Sequence, residues 1–204
     1  EFINNKEYAK IEIGDLKKWI DETKELSNNS LILEVNKKNS TVLKKALNWS
    51  NDVNKRVKNL PIEKKIPFEG VRESLKEISK YADIAIVSAA NRSAVEEEWQ
   101  GNQIIKYANI VMTQEQGSKA ECLKLLLSKG YSSDRILMIG DAPGDLEAAK
   151  ESGVLYYPIN VGREVESWMT LKTVVLNEFI NETYKTKFME EYEREYVNNM
   201  VKRK

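Results

Sequence analysis

Ile136-Leu137-Met138-Ile139-Gly140-Asp141-Ala142-Pro143-Gly144-Asp145-Leu146-Glu147-Ala148-Ala149 runs from an apolar segment through a Pro-Gly turn into a helix. Four apolar residues without alternation read as a strand buried on both faces. The turn carries two aspartates four positions apart, and the spacing predicts a helix over 144–151. Two carboxylates crowded at a strand end repel one another unless a hard cation joins them, and oxygen donors favour Mg²⁺. Gly140 and Gly144 leave room for a ligand beside both acids. The plain alternative is a turn aspartate followed by a helix-capping one, which suits Asp145.

The same grammar repeats on either side. Ile84-Ala85-Ile86-Val87 is a short apolar run ending at Ser88, preceded by a helix from about Val71 to Lys80 and followed by one over 92–99. Asn109-Ile110-Val111-Met112 leads to a helix over 118–128, and Val154-Leu155-Tyr156-Tyr157 is a fourth strand. Strands alternating with helices at this pitch specify an α/β fold, a Rossmann-like parallel sheet flanked by helices. The first sixty residues read differently. Tyr8 to Ile13 alternates loosely. Leu16, Trp19, Ile20, Thr23 and Leu26 then mark one helical face, a short helix follows over 30–38, and Ser40 caps a longer one with Leu43, Leu47, Ser50, Val53 or Asn54, and Val57 along a side. After the last strand the sequence is helical again, with one stripe at Trp168, Leu171, Val175 and Phe179 and another at Phe188, Tyr192, Tyr196 and Met200, ending in Lys202-Arg203-Lys204. The expected division is a helical segment over 1–64 and an α/β core over 65–204, with the strands and their turns in 67–161 and helices in 162–204.

Composition narrows the chemistry. Of 204 residues, 32 are Lys or Arg and 32 are Asp or Glu, so no net basic field draws the chain to nucleic acid. No apolar run is long enough for a membrane span. One cysteine, Cys122, rules out an internal disulfide framework and suits the cytoplasm. Histidine is absent, which removes Ser-His-Asp triads, Cys-His dyads and His-ligated zinc. Carboxylates, Lys, Ser, backbone amides and a hard metal ion remain. Neither a Gly-x-Gly-x-x-Gly nor a Gly-x-x-x-x-Gly-Lys loop is present.

In open parallel sheets ligands bind beyond the carboxyl ends of the strands. Ser88, with Ala89-Ala90-Asn91 after it, offers a hydroxyl and turn amides that can cradle an anion, or serves as a strand-end or capping serine. Lys119, in Gly117-Ser118-Lys119, puts a cation at a helix N-terminus, where the macrodipole prefers an anion. It needs carboxylates or a phosphate to face, unless it is an ordinary surface lysine.

Taken in order, Val87-Ser88-Ala89-Ala90-Asn91, Gly117-Ser118-Lys119 and Ile139-Gly140-Asp141-Ala142-Pro143-Gly144-Asp145-Leu146-Glu147-Ala148-Ala149 resemble the second, third and fourth motifs of the haloacid dehalogenase superfamily, over about residues 67–161. The helical segment ahead of them resembles the family's cap. The resemblance implies a Mg²⁺-dependent phosphohydrolase acting on a small phosphorylated metabolite through an aspartyl-phosphate. In that scheme Ser88, Ala89, Asn91 and Lys119 bind the phosphoryl group. Asp141 ligates Mg²⁺, and Asp145 holds metal waters or orients Lys119. The family's first motif, an apolar strand ending Asp-x-Asp, occurs nowhere in the sequence. The resemblance places it upstream of Glu1, on a strand between those ending at Ser88 and Asp141, so that this chain alone is inactive and lacks a partner strand. Other outcomes on the same fold are phosphonate cleavage, dehalogenation, mutase chemistry, or a non-catalytic module that senses phosphate and Mg²⁺.

Overall fold

The computed structural model of the chain describes residues 13–23 and 26–201. The loose alternation over 8–12 and the basic end at 202–204 lie outside them. The chain forms two compact units, residues 1–61 and 62–204.

In the first unit, helices α1 (Gly14–Glu22), α2 (Asn28–Lys38) and α3 (Thr41–Lys58) follow one another. Ser27 starts α2 by accepting from Ser30 N–H at 3.2 Å, and Asn39 ends it in the left-handed region at φ 46°. Leu31 and Leu43 are the buried side chains of α2 and α3. Leu16 and Trp19 of α1 are half-buried, whereas Ile20 and Leu26 are exposed. The expected stripe is therefore shorter than its spacing suggested: α1 stops at Glu22, so Leu26 is on no helix.

The second unit alternates as the sequence predicts. Helix α4 (Val71–Ile78) buries Val71, Ser74, Leu75 and Ile78, the i, i+3, i+4, i+7 face of one helix. It leads to β1 (Ala85–Val87), α5 (Arg92–Gly101), β2 (Ile110–Met112), α6 (Lys119–Ser128), β3 (Leu137–Gly140), α7 (Pro143–Ser152) and β4 (Leu155–Pro158). Helices α8 (Glu164–Thr170), α9 (Leu176–Ile180), α10 (Tyr184–Lys187) and α11 (Met189–Val201) complete it, with a wide π-type turn at Leu171–Val175 joining α8 to α9.

All pairing is parallel, but it comes in two halves. β1 pairs with β2, Ile86 facing Val111, and β3 pairs with β4, Ile139 facing Tyr157. No ladder joins β1 to β3 among the described residues. The halves nonetheless lie in one core: Ile84, just ahead of β1, packs against the same cluster as Leu137 and Ile139. The Tyr131 hydroxyl, before β3, donates to Asp83 at 2.6 Å.

Every residue of β4 is buried, and its side chains divide between two clusters. Tyr156 joins Leu123 of α6 and Leu146 and Ala149 of α7, while Leu155 and Tyr157 join Leu171, Val175 and Leu176. Successive side chains of a strand point to opposite faces, so helices cover both sides of β3–β4. The stripe at Trp168, Leu171, Val175 and Phe179 packs in one of these clusters. The second expected stripe does not form a single surface. On α11, Tyr192 meets Tyr157 edge to face at 5.1 Å, and Tyr196 meets Tyr156 on the opposite face at 6.0 Å.

Candidate active site

The turn from β3 into α7 is shaped by what surrounds Gly140. A Cβ there would lie 2.6 Å from the Cβ of Asp145, so any side chain would expel that aspartate. Pro143 opens α7 with its fixed φ and no N–H to satisfy. Asp145, at the third helical position, reaches back so that Oδ2 accepts from Ala142 N–H at 3.0 Å. Its other oxygen, Oδ1, takes the Lys119 ammonium at 2.5 Å. Asp145 is 3% exposed. The pair is therefore largely withdrawn from water, with Lys119 the more accessible member.

Lys119 reaches the same carboxylate from the start of α6. Gly117 turns the chain at φ +111°, a conformation that L side chains rarely adopt. Ser118 caps α6: its hydroxyl accepts from Glu121 N–H at 3.3 Å, and Glu121 Oε2 accepts from Ser118 N–H at 2.7 Å. Lys119 is thus the first residue of α6, and the carboxylate it needs to offset the helix dipole is Asp145, from the next strand–helix turn.

Asp141 is exposed, and its carboxylate takes part in no hydrogen bond or ion pair among the described residues. Its backbone is firmly held: the carbonyl accepts from the Tyr196 hydroxyl at 2.8 Å, and that of Gly140 accepts from the Tyr156 hydroxyl at 3.0 Å and from Ile159 N–H at 2.8 Å. Burial, reinforced by the neighbouring tyrosine and the two aspartates, pushes the Tyr156 hydroxyl far above its usual range. The Tyr196 hydroxyl is raised for the same first reason.

Ser88, Ala89 and Asn91 stand at the carboxyl end of β1, on the other ladder. Ser88 N–H extends the ladder to Met112 O at 3.0 Å, and its hydroxyl accepts from Ala90 N–H at 3.2 Å. Ala89 is half-buried in the turn. Asn91 caps α5, its side-chain oxygen accepting from Ala94 N–H and from the Ser93 hydroxyl, each at 2.9 Å. No hydrogen bond joins Ser88 to Lys119, Asp141 or Asp145 among the described residues.

The turn at Ser88 is tied to the end of β2 by residues that sequence reading did not single out. Gln114 N–H donates to Ala90 O at 3.3 Å, Arg92 N–H to Glu115 Oε1 at 3.2 Å, and the Arg92 guanidinium to Val111 O at 2.8 Å. Buried Thr113 donates its hydroxyl to Glu115. That bond, with backbone amides and Arg92 assisting, holds the Glu115 carboxyl below its usual range. Nothing in the spacing of Thr113, Glu115 and Arg92 advertises this clamp, because it acts across two loops.

Mg²⁺ is bound in proteins by one or two carboxylates plus waters and substrate phosphate rather than by an all-protein cage. The donors fit that habit: Asp141 presents a hard carboxylate at the mouth, and no group of three or more acidic or thiol ligands exists among the described residues. Asp145 fits it less well. Both its oxygens are engaged, so of the two roles left open for it, orienting Lys119 is the one its contacts support.

Comparison with curated proteins and with solved structures returned no match. A family model described as "Haloacid dehalogenase-like hydrolase" matches residues 3–158, well over half of the chain, and takes in Ser88, Lys119, Asp141 and Asp145. On that match the chain belongs to the haloacid dehalogenase-like hydrolases.

Proposed function

We propose that the intact protein is a Mg²⁺-dependent phosphohydrolase of the cytoplasm, acting on a small phosphate monoester. The observation that carries this reading is the Lys119–Asp145 pair, held at 2.5 Å on the same strand–helix turn that carries the exposed Asp141 at the end of β3. An ammonium fixed by a buried acid cannot turn away, so it presents permanent positive charge where a phosphoryl group would sit. Ser88, with the amides after β1, offers donors to a phosphoryl oxygen from the other ladder. Asp141 would hold Mg²⁺, which when bound neutralises charge on the transferring phosphoryl group. Asp145 fixes Lys119 and is not spent on the metal.

The acidic nucleophile of such a reaction has no candidate in this sequence, which holds no Asp-x-Asp. Among the described residues β1 and β3 each have one edge without a ladder, although the two lie in one core. Unpaired backbone groups are costly wherever water cannot reach them. A further extended segment between them, ending in the nucleophile, completes the site in this reading. Its carboxylate attacks phosphorus in line, and the ester oxygen leaves with a proton from a neighbouring acid. In this reading the helical segment over residues 1–64 takes the role of the family's cap and sets the choice of ester.

The test is a panel of phosphate esters offered to the full polypeptide that the gene encodes, with and without Mg²⁺, beside its Asp141→Asn variant. Mg²⁺-dependent turnover that the variant loses supports the reading. Tight binding of inorganic phosphate with no turnover of any ester supports a sensing module instead. Turnover unchanged in Asp141→Asn removes the metal role.

A further inference from the structure

Two tyrosine hydroxyls converge on successive carbonyls of the β3–α7 turn, and one of them comes from beyond the residues the family model matches. Tyr156 donates to Gly140 O and Tyr196 to Asp141 O. Their rings meet edge to face at an angle of 69°, and the residues are 0% and 2% exposed. Tyr196 lies on α11, past residue 158, where the match ends.

The peptide between Asp141 and Ala142 is consequently held at both ends. Its carbonyl accepts from Tyr196 at 2.8 Å, and its N–H donates to Asp145 at 3.0 Å. The Gly140 carbonyl before it is held too, by Tyr156 and by Ile159 N–H, so the planar peptides on both sides of the Asp141 Cα are fixed and the two torsions between them have little freedom. The torsion on the Asp141 side sets the direction in which that residue's side chain leaves the backbone. The side chain itself is exposed and makes no hydrogen bond or ion pair among the described residues. Asp141 is aimed through its backbone, and Asp145, which holds one end of the peptide, also holds Lys119.

We propose that Tyr196 is a positioning residue for Asp141, with the hydroxyl on the C-terminal helix setting the direction of the carboxylate that receives the metal. This rests on the reading of Asp141 as the Mg²⁺ ligand. Outer partners that orient a ligand contribute about 10- to 100-fold to metal affinity. Tyr196 acts through the backbone of its ligand, and so belongs at the lower end of that range.

The experiment compares Tyr196→Phe with Tyr157→Phe in the full polypeptide. Tyr157 is the matched control, because its buried hydroxyl donates to Ser167 O at 2.8 Å, away from the turn. Mg²⁺ alone is titrated calorimetrically, thermal stability is recorded, and exchange of the Ala142 amide is followed by NMR without metal. The expected result is Mg²⁺ affinity about 10-fold weaker in Tyr196→Phe and faster Ala142 exchange. Tyr157→Phe should match the wild type in both while losing comparable thermal stability. Wild-type Mg²⁺ affinity in Tyr196→Phe, or equal weakening in both variants, overturns the proposal. If the wild type binds no Mg²⁺, the metal role of Asp141 fails, and amide exchange alone decides whether Tyr196 holds the turn: acceleration confined to Tyr196→Phe upholds it and unchanged exchange overturns it.

Discussion

Replacing Lys119 by Met tests the buried pair at the centre of the site. Methionine keeps most of the length and apolar character of lysine but removes the ammonium that lies 2.5 Å from Asp145. Asp145 is 3% exposed, so its charge cannot fall back on water. Breaking a buried pair by removing one partner costs about 3–5 kcal/mol. Lys119 keeps 23% of its side chain exposed, which admits some solvent and puts the expected loss at the low end, about 3 kcal/mol. For a chain of 204 residues that lowers the melting temperature by roughly 6–12 °C. Asp145→Asn in the same background should recover most of the loss, because a neutral amide needs no counter-ion. Turnover of an aryl phosphate by the full polypeptide should fall roughly 100- to 1,000-fold in Lys119→Met, and Asp145→Asn should not restore it. Calorimetric melting and steady-state rates read the two arms separately. A Lys119→Met protein that melts at the wild-type temperature and turns over ester at the wild-type rate would refute both the structural and the electrostatic role.

Two further outcomes follow from the same neighbourhood. Gly140→Ala should destabilise the protein by about 1–3 kcal/mol and lower turnover, since the new methyl must displace Asp145 and with it Lys119; denaturant melts and wild-type rates at this position would contradict it. Burial raises the hydroxyls of Tyr156, Tyr157 and Tyr184, so the folded chain keeps protons that the unfolded chain releases above pH of about 10. Their contribution to stability is whole below that pH and is lost as pH rises beyond it, so absorbance at the tyrosinate band should climb together with the loss of helical circular dichroism; ionisation of these tyrosines in a chain that stays folded would count against it.

Much of the core was legible because its signals are local. Four unbroken apolar runs gave four strands, each ending within a residue or two of its expected limit, and Ser118 and Asn91 stand at helix starts as capping chemistry requires. The Lys119–Asp145 contact was half legible: a lysine at the unfavourable end of a helix asks for a carboxylate, but its identity depends on how two strand–helix turns meet. What escaped was non-local. The tyrosines at 192 and 196 share a helical period, yet they serve opposite faces of β3–β4, which no single-helix stripe reveals. The hold on Asp141 by Tyr196 spans 55 positions and uses a backbone carbonyl, a group that every residue possesses. Leu26 continued a periodic pattern without being buried because the helix ended before the pattern did, and Ile20 is exposed within that helix.

The division of the strands into two ladders also bears on how the molecule breathes. Hydrogen-bonded ladders couple the opening of neighbouring strands, and among the described residues none joins β1 to β3, so without the segment proposed between them the two halves are coupled by side-chain packing alone. The β3–β4 half, closed by α7 and by tyrosines from the last helix, is expected to exchange slowly. The half bearing Ser88 has the short β1–β2 ladder and loop-to-loop bonds through Arg92 and Glu115, and is expected to open more often. The cradle proposed for the anion is in this sense the more yielding wall of the site, and the acid-bearing turn the more rigid one.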